Sequence, residues 1–318
     1  MKLTIEQAAD RLKQAENILI LCHQSPDGDT MGSAFAMYHA LTQLGKRSRV
    51  ECADSLPEKF SFLFEGYCEE EFEPGFVLAV DVADEKLLGG SIREKYPRID
   101  LCIDHHPSNT AYAGELLLEA DSAATAEIIP YVIRKLGAVI NPRMANCIYT
   151  GIATDTGCFK FSNTMPRSHR IAAEMMELGA DVAFINELVF DTKTKNKLAF
   201  EKCALDALEY YFEDRCALIP VTMEMMEQCG VTYEEIDDIA SIPRQIEGVE
   251  VGITLKQRDE NGYKISLRTK ASCDASDICR RLGGGGHARA AGCAVDGTLE
   301  EVKQKILAAV SGFLGGDA

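Results

Sequence analysis

An aspartate and two histidines, Asp104-His105-His106, close one apolar run of the chain, and three other segments hold carboxylate or imidazole groups at similar points. In His23-Gln-Ser-Pro-Asp27-Gly-Asp29, Pro26 and Gly28 make a tight turn that can fold the histidine and both carboxylates towards one point. Asp81 ends the run Phe-Val-Leu-Ala-Val-Asp, and Asp155 follows an apolar helical stretch within Gly-Ile-Ala-Thr-Asp-Thr-Gly. Taken singly, each has a plain reading: a turn with a helix cap, a lone cap, a pair of surface histidines. Taken together they share one position, the end of an apolar segment, where an unpaired carboxylate is costly to bury. Imidazole with carboxylate suits Mn²⁺, Fe²⁺, Co²⁺ or Zn²⁺, and the many carboxylates lean towards Mn²⁺ or Mg²⁺. Two such ions about 3.5–4 Å apart form a clamp that generates hydroxide and stabilises the attacking and leaving oxygens of a phosphoryl group. Asp81, alone at its strand end, is the candidate bridge between them.

The elements that must place these groups alternate between strand and helix. Residues 17–23 form a buried strand, residues 29–45 have helical periodicity with a glycine stop, and residues 49–52 make a second short strand. Residues 76–81 and 99–104 are two more apolar runs, each ending in aspartate, and residues 122–137 and 142–154 then have helical character. This alternation predicts a largely parallel sheet covered on both faces, with ligands at the carboxyl ends of its strands. Residues 192–212 are highly helical and charged and predict a connecting helix. A smaller α+β unit follows. It has strands at 216–222, 249–257 and 263–269, the second and third joined by an Asp-Glu-Asn-Gly turn that calls for positive φ. A helix over 276–282, a glycine-rich loop, a short strand and an amphipathic helix from Leu299 close the chain. The expected division is a catalytic domain over 1–190, a connecting helix over 191–214 and a substrate-binding domain over 215–318.

The glycine run Gly283–Gly286 leads directly into His287 and Arg289. On its own such a run is a flexible loop. Beside a histidine and an arginine it can also bring backbone N–H groups close to a phosphate. Arg268 and Lys270 end the preceding strand, and Arg280 and Arg281 end the helix before the loop. Arg268 is the choice for a bidentate phosphate contact, because its guanidinium is a planar fork. For Arg280 and Arg281, favourable charge at a helix C-terminus is an equally good account.

Composition bounds the partners. Over 318 residues the formal net charge is −17, which argues against non-specific binding of long nucleic acid, since that needs many Lys and Arg on phosphates. A phosphate-ester substrate would be short, with cations offsetting its charge. No apolar run approaches the ~18–20 residues of a membrane span. The N-terminal segment reads as an acidic amphipathic helix rather than a secretory signal, so no membrane partner and a cytoplasmic location are expected. The twelve cysteines lack a Cys-x-x-Cys spacing, and Cys22, Cys102 and Cys216 lie in apolar strands, as reduced structural thiols do.

These motifs resemble, in order, those of the DHH phosphoesterases: His23-x-x-x-Asp27-x-Asp29, Asp81, Asp104-His105-His106 and Asp155. The stretch Gly284-Gly-Gly-His-Ala-Arg-Ala-Ala-Gly292 is similar to the signature of the DHH-associated C-terminal domain. The resemblance spans nearly the whole chain and lies nearest the nanoRNase group, the bifunctional oligoribonuclease and 3′-phosphoadenosine 5′-phosphate (PAP) phosphatases. RecJ-type exonucleases carry further nucleic-acid-binding regions, family II pyrophosphatases a different C-terminal domain, and the membrane-bound cyclic dinucleotide phosphodiesterases transmembrane segments. By resemblance, His23, Asp27 and Asp81 hold one divalent cation and Asp29, Asp81, His105 and Asp155 the other, Asp81 bridging. Mn²⁺ is the first choice, with Mg²⁺, Co²⁺ or Fe²⁺ as alternatives. His106 then faces the substrate phosphate as hydrogen-bond donor or general acid, Asp104 orients a histidine ring, and Arg268, Gly284, Gly285, Gly286 and His287 bind the substrate.

The resulting expectation is an α/β enzyme that hydrolyses short RNA or DNA oligonucleotides and nucleoside bisphosphates such as PAP. Two alternatives stand beside it: a phosphodiesterase selective for dinucleotides such as pApA, and a nucleotide-binding regulator without catalysis. Cleavage polarity stays open, as does a homodimer.

Overall fold

The structure, a computed structural model, describes residues 1–233, 235–270 and 272–315. The chain divides into two compact units, Met1–Thr192 and Lys193–Ala318.

In the first unit five strands, β1 (Ile18–Leu21), β2 (Ser48–Glu51), β3 (Phe76–Val80), β4 (Leu101–Asp104) and β5 (Glu115–Leu118), form a sheet in the order β2-β1-β3-β4-β5. Every pair in it is parallel. Both faces are covered, so the strands are continuous apolar runs rather than alternating ones. Ile18, Ile20, Leu78, Val80, Leu101 and Ile103 point into one core, while Leu19, Leu21, Val77, Ala79 and Cys102 point into the other. The first core is roofed by α1 (Ile5–Gln14), α2 (Gly28–Gln43), α4 (Ile129–Leu136) and α5 (Pro142–Asp155); the second lies under the short α3 (Gly90–Lys95). Chain order reverses between β1 and β3, and in such sheets the crevice beyond the strand ends at that point is where ligands bind. His23 follows β1, Asp81 follows β3, and Asp104 ends β4.

Helices α2 and α5 pack against each other without room for side chains at their crossing. A Cβ added to Gly32 would lie 2.3 Å from the Cys147 carbonyl oxygen, and one on Gly151 would lie 2.5 Å from Ala126 Cβ and 2.9 Å from Asp29 Oδ1. Close approach brings the first turn of α2 against the wall that carries Asp155, the last residue of α5. Asp155 therefore belongs to the helix rather than following it. The helix expected over 122–137 divides into a 3₁₀ turn at Thr125–Glu127 and α4, which Gly137 ends in a left-handed conformation (φ +94°). Helices α6 (Pro166–Glu177) and α7 (Val182–Asn186) follow α5 in a stretch where sequence periodicity indicated nothing.

The second unit is a six-stranded sheet in the order β10-β11-β9-β8-β7-β6. Its strands are β6 (Glu209–Tyr211), β7 (Cys216–Val221), β8 (Val251–Asp259), β9 (Gly262–Thr269), β10 (Gly285–His287) and β11 (Ala290–Asp296). Only β7 and β8 are parallel; the other pairs are antiparallel. Helices α11 (Ala275–Arg280) and α12 (Leu299–Leu314) cover one face, and α8 (Lys195–Asp206), α9 (Met223–Cys229) and the short α10 (Ile242–Gln245) cover part of the other.

Three readings of this region are corrected. The helix expected over 192–212 is α8 alone, and residues 209–211 pair with β7 as an edge strand, where tyrosines fit a pleated surface. The hairpin between β8 and β9 has no positive φ at Glu260 or Asn261; a register shift between Gln257 and Asp259 accommodates its closure instead. The glycine-rich loop contains a strand, since Gly285, Gly286 and His287 pair with Gly292, Ala291 and Ala290.

Candidate metal centre

The four acidic and histidine segments meet at the carboxyl end of the parallel sheet. His23, Asp27 and Asp81 offer ligand atoms within 4.8 Å of one another, as do Asp29, His105 and Asp155, and as do Asp81, His105 and His106.

Each side chain is placed by a local device. Asp27 caps α2, its Oδ1 accepting from the backbone N–H groups of Asp29 (3.0 Å) and Thr30 (3.1 Å), so the cap and the candidate ligand are one residue. Asp29 is fully buried and accepts from the backbone N–H of Thr125 at 2.6 Å and of Ala126 at 2.8 Å, with Ser33 Oγ at 3.3 Å. Asp81 has φ +60°, a left-handed conformation costly for a non-glycine residue; its N–H donates to the Ile103 carbonyl and its Oδ1 accepts from Thr125 Oγ1 at 2.9 Å. Asp104, also fully buried, receives the His105 backbone N–H at 2.8 Å, His106 Nδ1 at 2.8 Å and Asn109 Nδ2 at 2.6 Å.

The two histidines of the triplet are held in different ways. A carbonyl can only accept, so the 3.1 Å contact between His105 Nδ1 and the Ser122 carbonyl puts the proton on Nδ1 and leaves Nε2 bare. That Nε2 is buried and has no hydrogen-bond partner among the described residues. It faces Asp155 Oδ2 at 3.3 Å, Asp81 Oδ1 at 3.6 Å and Asp29 Oδ2 at 4.0 Å. A lone pair aimed at three carboxylate groups in a largely buried pocket is repulsive unless a proton or a metal cation lies among them. On this ground the residues fit a metal ion. His106 Nδ1 is committed to Asp104, which directs its Nε2 elsewhere, and its side chain is 40% exposed.

The electrostatics have the same cause. Burial and the neighbouring Asp27 charge push the Asp81 carboxyl up to about 7, and burial with Asp29, Asp27 and Asp81 pushes Asp155 up to about 10. Asp29 is likewise driven well above the carboxylate range by burial and by Asp81. Burial works against charge on His23, yet the Asp27 carboxylate beside it raises its pKa to about 9. For Asp104 burial is outweighed by the hydrogen bonds from His106 and Asn109, which hold it below its ordinary range. Asp104 in turn raises the pKa of His106. Carboxyls that resist ionising together until a cation replaces their protons are what a divalent-metal pocket requires.

Residues 17–152 match the model of the DHH family, N-terminal domain, and residues 219–316 match that of the DHHA1 domain. Over 310 residues the chain is 34% identical to the bifunctional oligoribonuclease and PAP phosphatase NrnA of Thermus thermophilus, covering 95% of this chain and 92% of that protein. The chain belongs to the DHH family. The protein of the same name from Bacillus subtilis is 23% identical over 291 residues, 88% of this chain and 90% of that one. Among solved structures, an exopolyphosphatase-related protein from Bacteroides fragilis aligns with a TM-score of 0.86 at 24% identity, covering 98% of this chain and 96% of the other. Exonuclease RecJ bound to manganese aligns at 0.56 with 14% identity, covering 99% and 95%. These two likenesses concern the fold.

In the second unit of this DHH chain, His287 and Arg268 of the expected substrate residues fall in one row across β10, β11 and β9, with the glycines in and just before β10. His287 is exposed on β10, and Arg268 on β9 is in register with Ala290 of the intervening strand. Two of the three glycines have packing reasons of their own. A Cβ on Gly284 would lie 2.3 Å from the Gly292 carbonyl oxygen, and one on Gly286 (φ +144°) would lie 2.6 Å from Ala291 Cα. Gly285 has open space around it. Arg280 pairs with Asp277 at 2.6 Å, Arg281 lies over the Phe313 ring, and Arg289 donates to the carbonyls of Lys270 and Cys273, so these three have structural partners. Sequence reasoning missed Ser122, Thr125, Ala126 and Asn109, which hold the acidic cluster through its outer atoms. The one visible signal was Ser122-Ala-Ala-Thr125 before a helical run, which is cap chemistry.

Proposed function

We propose that this DHH-family chain is a divalent-metal phosphoesterase that hydrolyses short oligoribonucleotides to mononucleotides and PAP to AMP. The observation that carries it is the bare, buried Nε2 of His105 facing Asp29, Asp81 and Asp155. His23, Asp27 and Asp81 would hold one ion and Asp29, Asp81, His105 and Asp155 a second, with Asp81 shared and manganese the first candidate. Bound there, such ions supply positive charge to the phosphoryl oxygens and acidify a water for in-line attack on phosphorus. The Ser122 carbonyl keeps the His105 tautomer that leaves Nε2 available, as outer hydrogen bonds do for metal-binding histidines. Asp104 fixes His106 so that its Nε2 can hydrogen-bond the substrate phosphate or give a proton to the leaving oxygen. Arg268 and His287 would bind a substrate phosphate and base, with Gly285 allowing close approach of backbone N–H groups.

Substrate class is supported by the relatives named as oligoribonuclease and PAP phosphatase and by the net charge of −17, which favours short substrates over long ones. Those names give no preference to a dinucleotide-selective enzyme, and the gathered His and Asp set argues against a regulator without catalysis. A cytoplasmic site of action belongs to the same reading; no helix among the described residues is long and apolar enough to cross a membrane. Initial rates on PAP, pApA and two-to-five-nucleotide RNAs with added Mn²⁺ test it. Turnover of both PAP and short RNA is expected. Efficient cleavage of pApA with none of PAP would overturn the bifunctional reading, and no hydrolysis of any short nucleotide would favour the regulator.

A further inference from the structure

Residues 122–127 supply four contacts to the acidic cluster while contributing no candidate ligand. The Ser122 carbonyl holds His105 Nδ1 at 3.1 Å, the N–H groups of Thr125 and Ala126 hold Asp29 at 2.6 and 2.8 Å, and Thr125 Oγ1 holds Asp81 at 2.9 Å. Glu127, at the end of this segment, is 1% exposed. Its Oε2 accepts from the Ala123 N–H at 3.3 Å and from Arg167 Nε at 2.9 Å, and its Oε1 accepts from Ser168 Oγ. Arg167 Nη2 then reaches back to Ser122 Oγ at 2.6 Å. The guanidinium thus bridges the start of the segment to its end, and the ring Glu127–Arg167–Ser122 closes it.

We infer that Glu127, acting with Arg167, is the positioning residue of the metal centre. It holds the segment in the one conformation that sets the His105 tautomer and aims the oxygens of Asp29 and Asp81. Without the carboxylate, Arg167 Nε loses its charged partner, keeping only Ser122 Oγ at Nη2, and the Ala123 N–H loses its charged acceptor. The four contacts inward would then depend on a segment free to relax. This inference rests on the metal reading above.

The test titrates Mn²⁺ into the full chain by calorimetry, for wild type, Glu127→Gln, Arg167→Met and Ser168→Ala. Ser168→Ala removes a hydroxyl from Glu127 and leaves both bonds to the segment in place. Glu127→Gln and Arg167→Met are expected to weaken Mn²⁺ binding about 10–100-fold, the range for losing an outer partner of a ligand. Ser168→Ala should bind within a few-fold of wild type, even where its melting temperature falls. Wild-type affinity in both Glu127→Gln and Arg167→Met overturns the inference and leaves the metal reading intact. Wild type that binds no Mn²⁺ overturns both. Should Glu127→Gln fail to fold, Arg167→Met, whose side chain is 34% exposed, carries the test.

Discussion

Replacing Gly151 by alanine tests whether the spacing of α2 and α5 sets the geometry of the acidic cluster. The added methyl would stand 2.5 Å from Ala126 Cβ and 2.9 Å from Asp29 Oδ1. Carbon atoms are relaxed at about 3.5–4.0 Å, so something must move by about 1 Å. Neither neighbour can give independently, because Ala126 N–H is bonded to that same Asp29 oxygen at 2.8 Å and both residues are fully buried. Alanine recovers about 1 kcal/mol of helix propensity, while overpacking costs about 1–3 kcal/mol, so the net loss of stability is about 0–2 kcal/mol. The loss of activity should be larger, since a misplacement of about 1 Å can lower rate about 10²-fold. The assay is kcat/KM on a diribonucleotide with Mn²⁺, beside a denaturant titration of the same protein. Gly32→Ala is the comparison: its methyl would meet backbone first, the Cys147 carbonyl oxygen at 2.3 Å and the Gly151 nitrogen at 3.1 Å. Gly151→Ala with wild-type kcat/KM would refute the claim that this helix contact positions Asp29.

Asp104→Asn keeps the shape but sets one amide against His106 and Asn109, so kcat should fall about 10–100-fold, with Mn²⁺ affinity near wild type by calorimetry. Arg268→Ala should raise KM for PAP about 10–100-fold, the value of a charge-assisted hydrogen bond of about 1.5–3 kcal/mol, and change kcat little in steady-state rates. Burial lowers the pKa of His39, whose Nε2 donates to the Leu63 carbonyl at 3.1 Å. A folded-state pKa below the unfolded one means that its contribution is fully present above about pH 6.5 and is lost as pH falls below that. Denaturant midpoints of wild type should therefore drop more steeply below pH 6.5 than those of His39→Gln, and parallel curves would contradict the assignment.

Sequence alone revealed the strands that end in candidate ligands, because a strand buried on both faces is a continuous apolar run and a following aspartate stands out against it. The resemblance to the DHH motifs assigned His105 to the metal and His106 to the substrate; in the structure His105 Nε2 faces Asp29, Asp81 and Asp155, while His106 Nδ1 is bonded to Asp104. What it hid follows from contacts distant in sequence. The stretch 122–137 is not one helix, because the N–H groups of Thr125 and Ala126 are spent on Asp29, nearly a hundred residues away. Glycines 284–286 read as a loop, since glycine propensity opposes a strand; the reason for two of them is the close approach of β11, visible only once the sheet is built. Residues 209–211 continue a helical composition and become an edge strand only because β7 offers them a partner.

In the proposed function, His105 Nε2 and the carboxylates around it share a divalent cation. Diffraction from crystals grown with Mn²⁺, recorded for manganese anomalous scattering, would locate that cation. Two anomalous peaks are expected, one bonded to His105 Nε2, Asp29, Asp81 and Asp155, the other to His23, Asp27 and Asp81. Protein saturated with Mn²⁺ that shows no peak within bonding distance of His105 Nε2 would contradict that proposal.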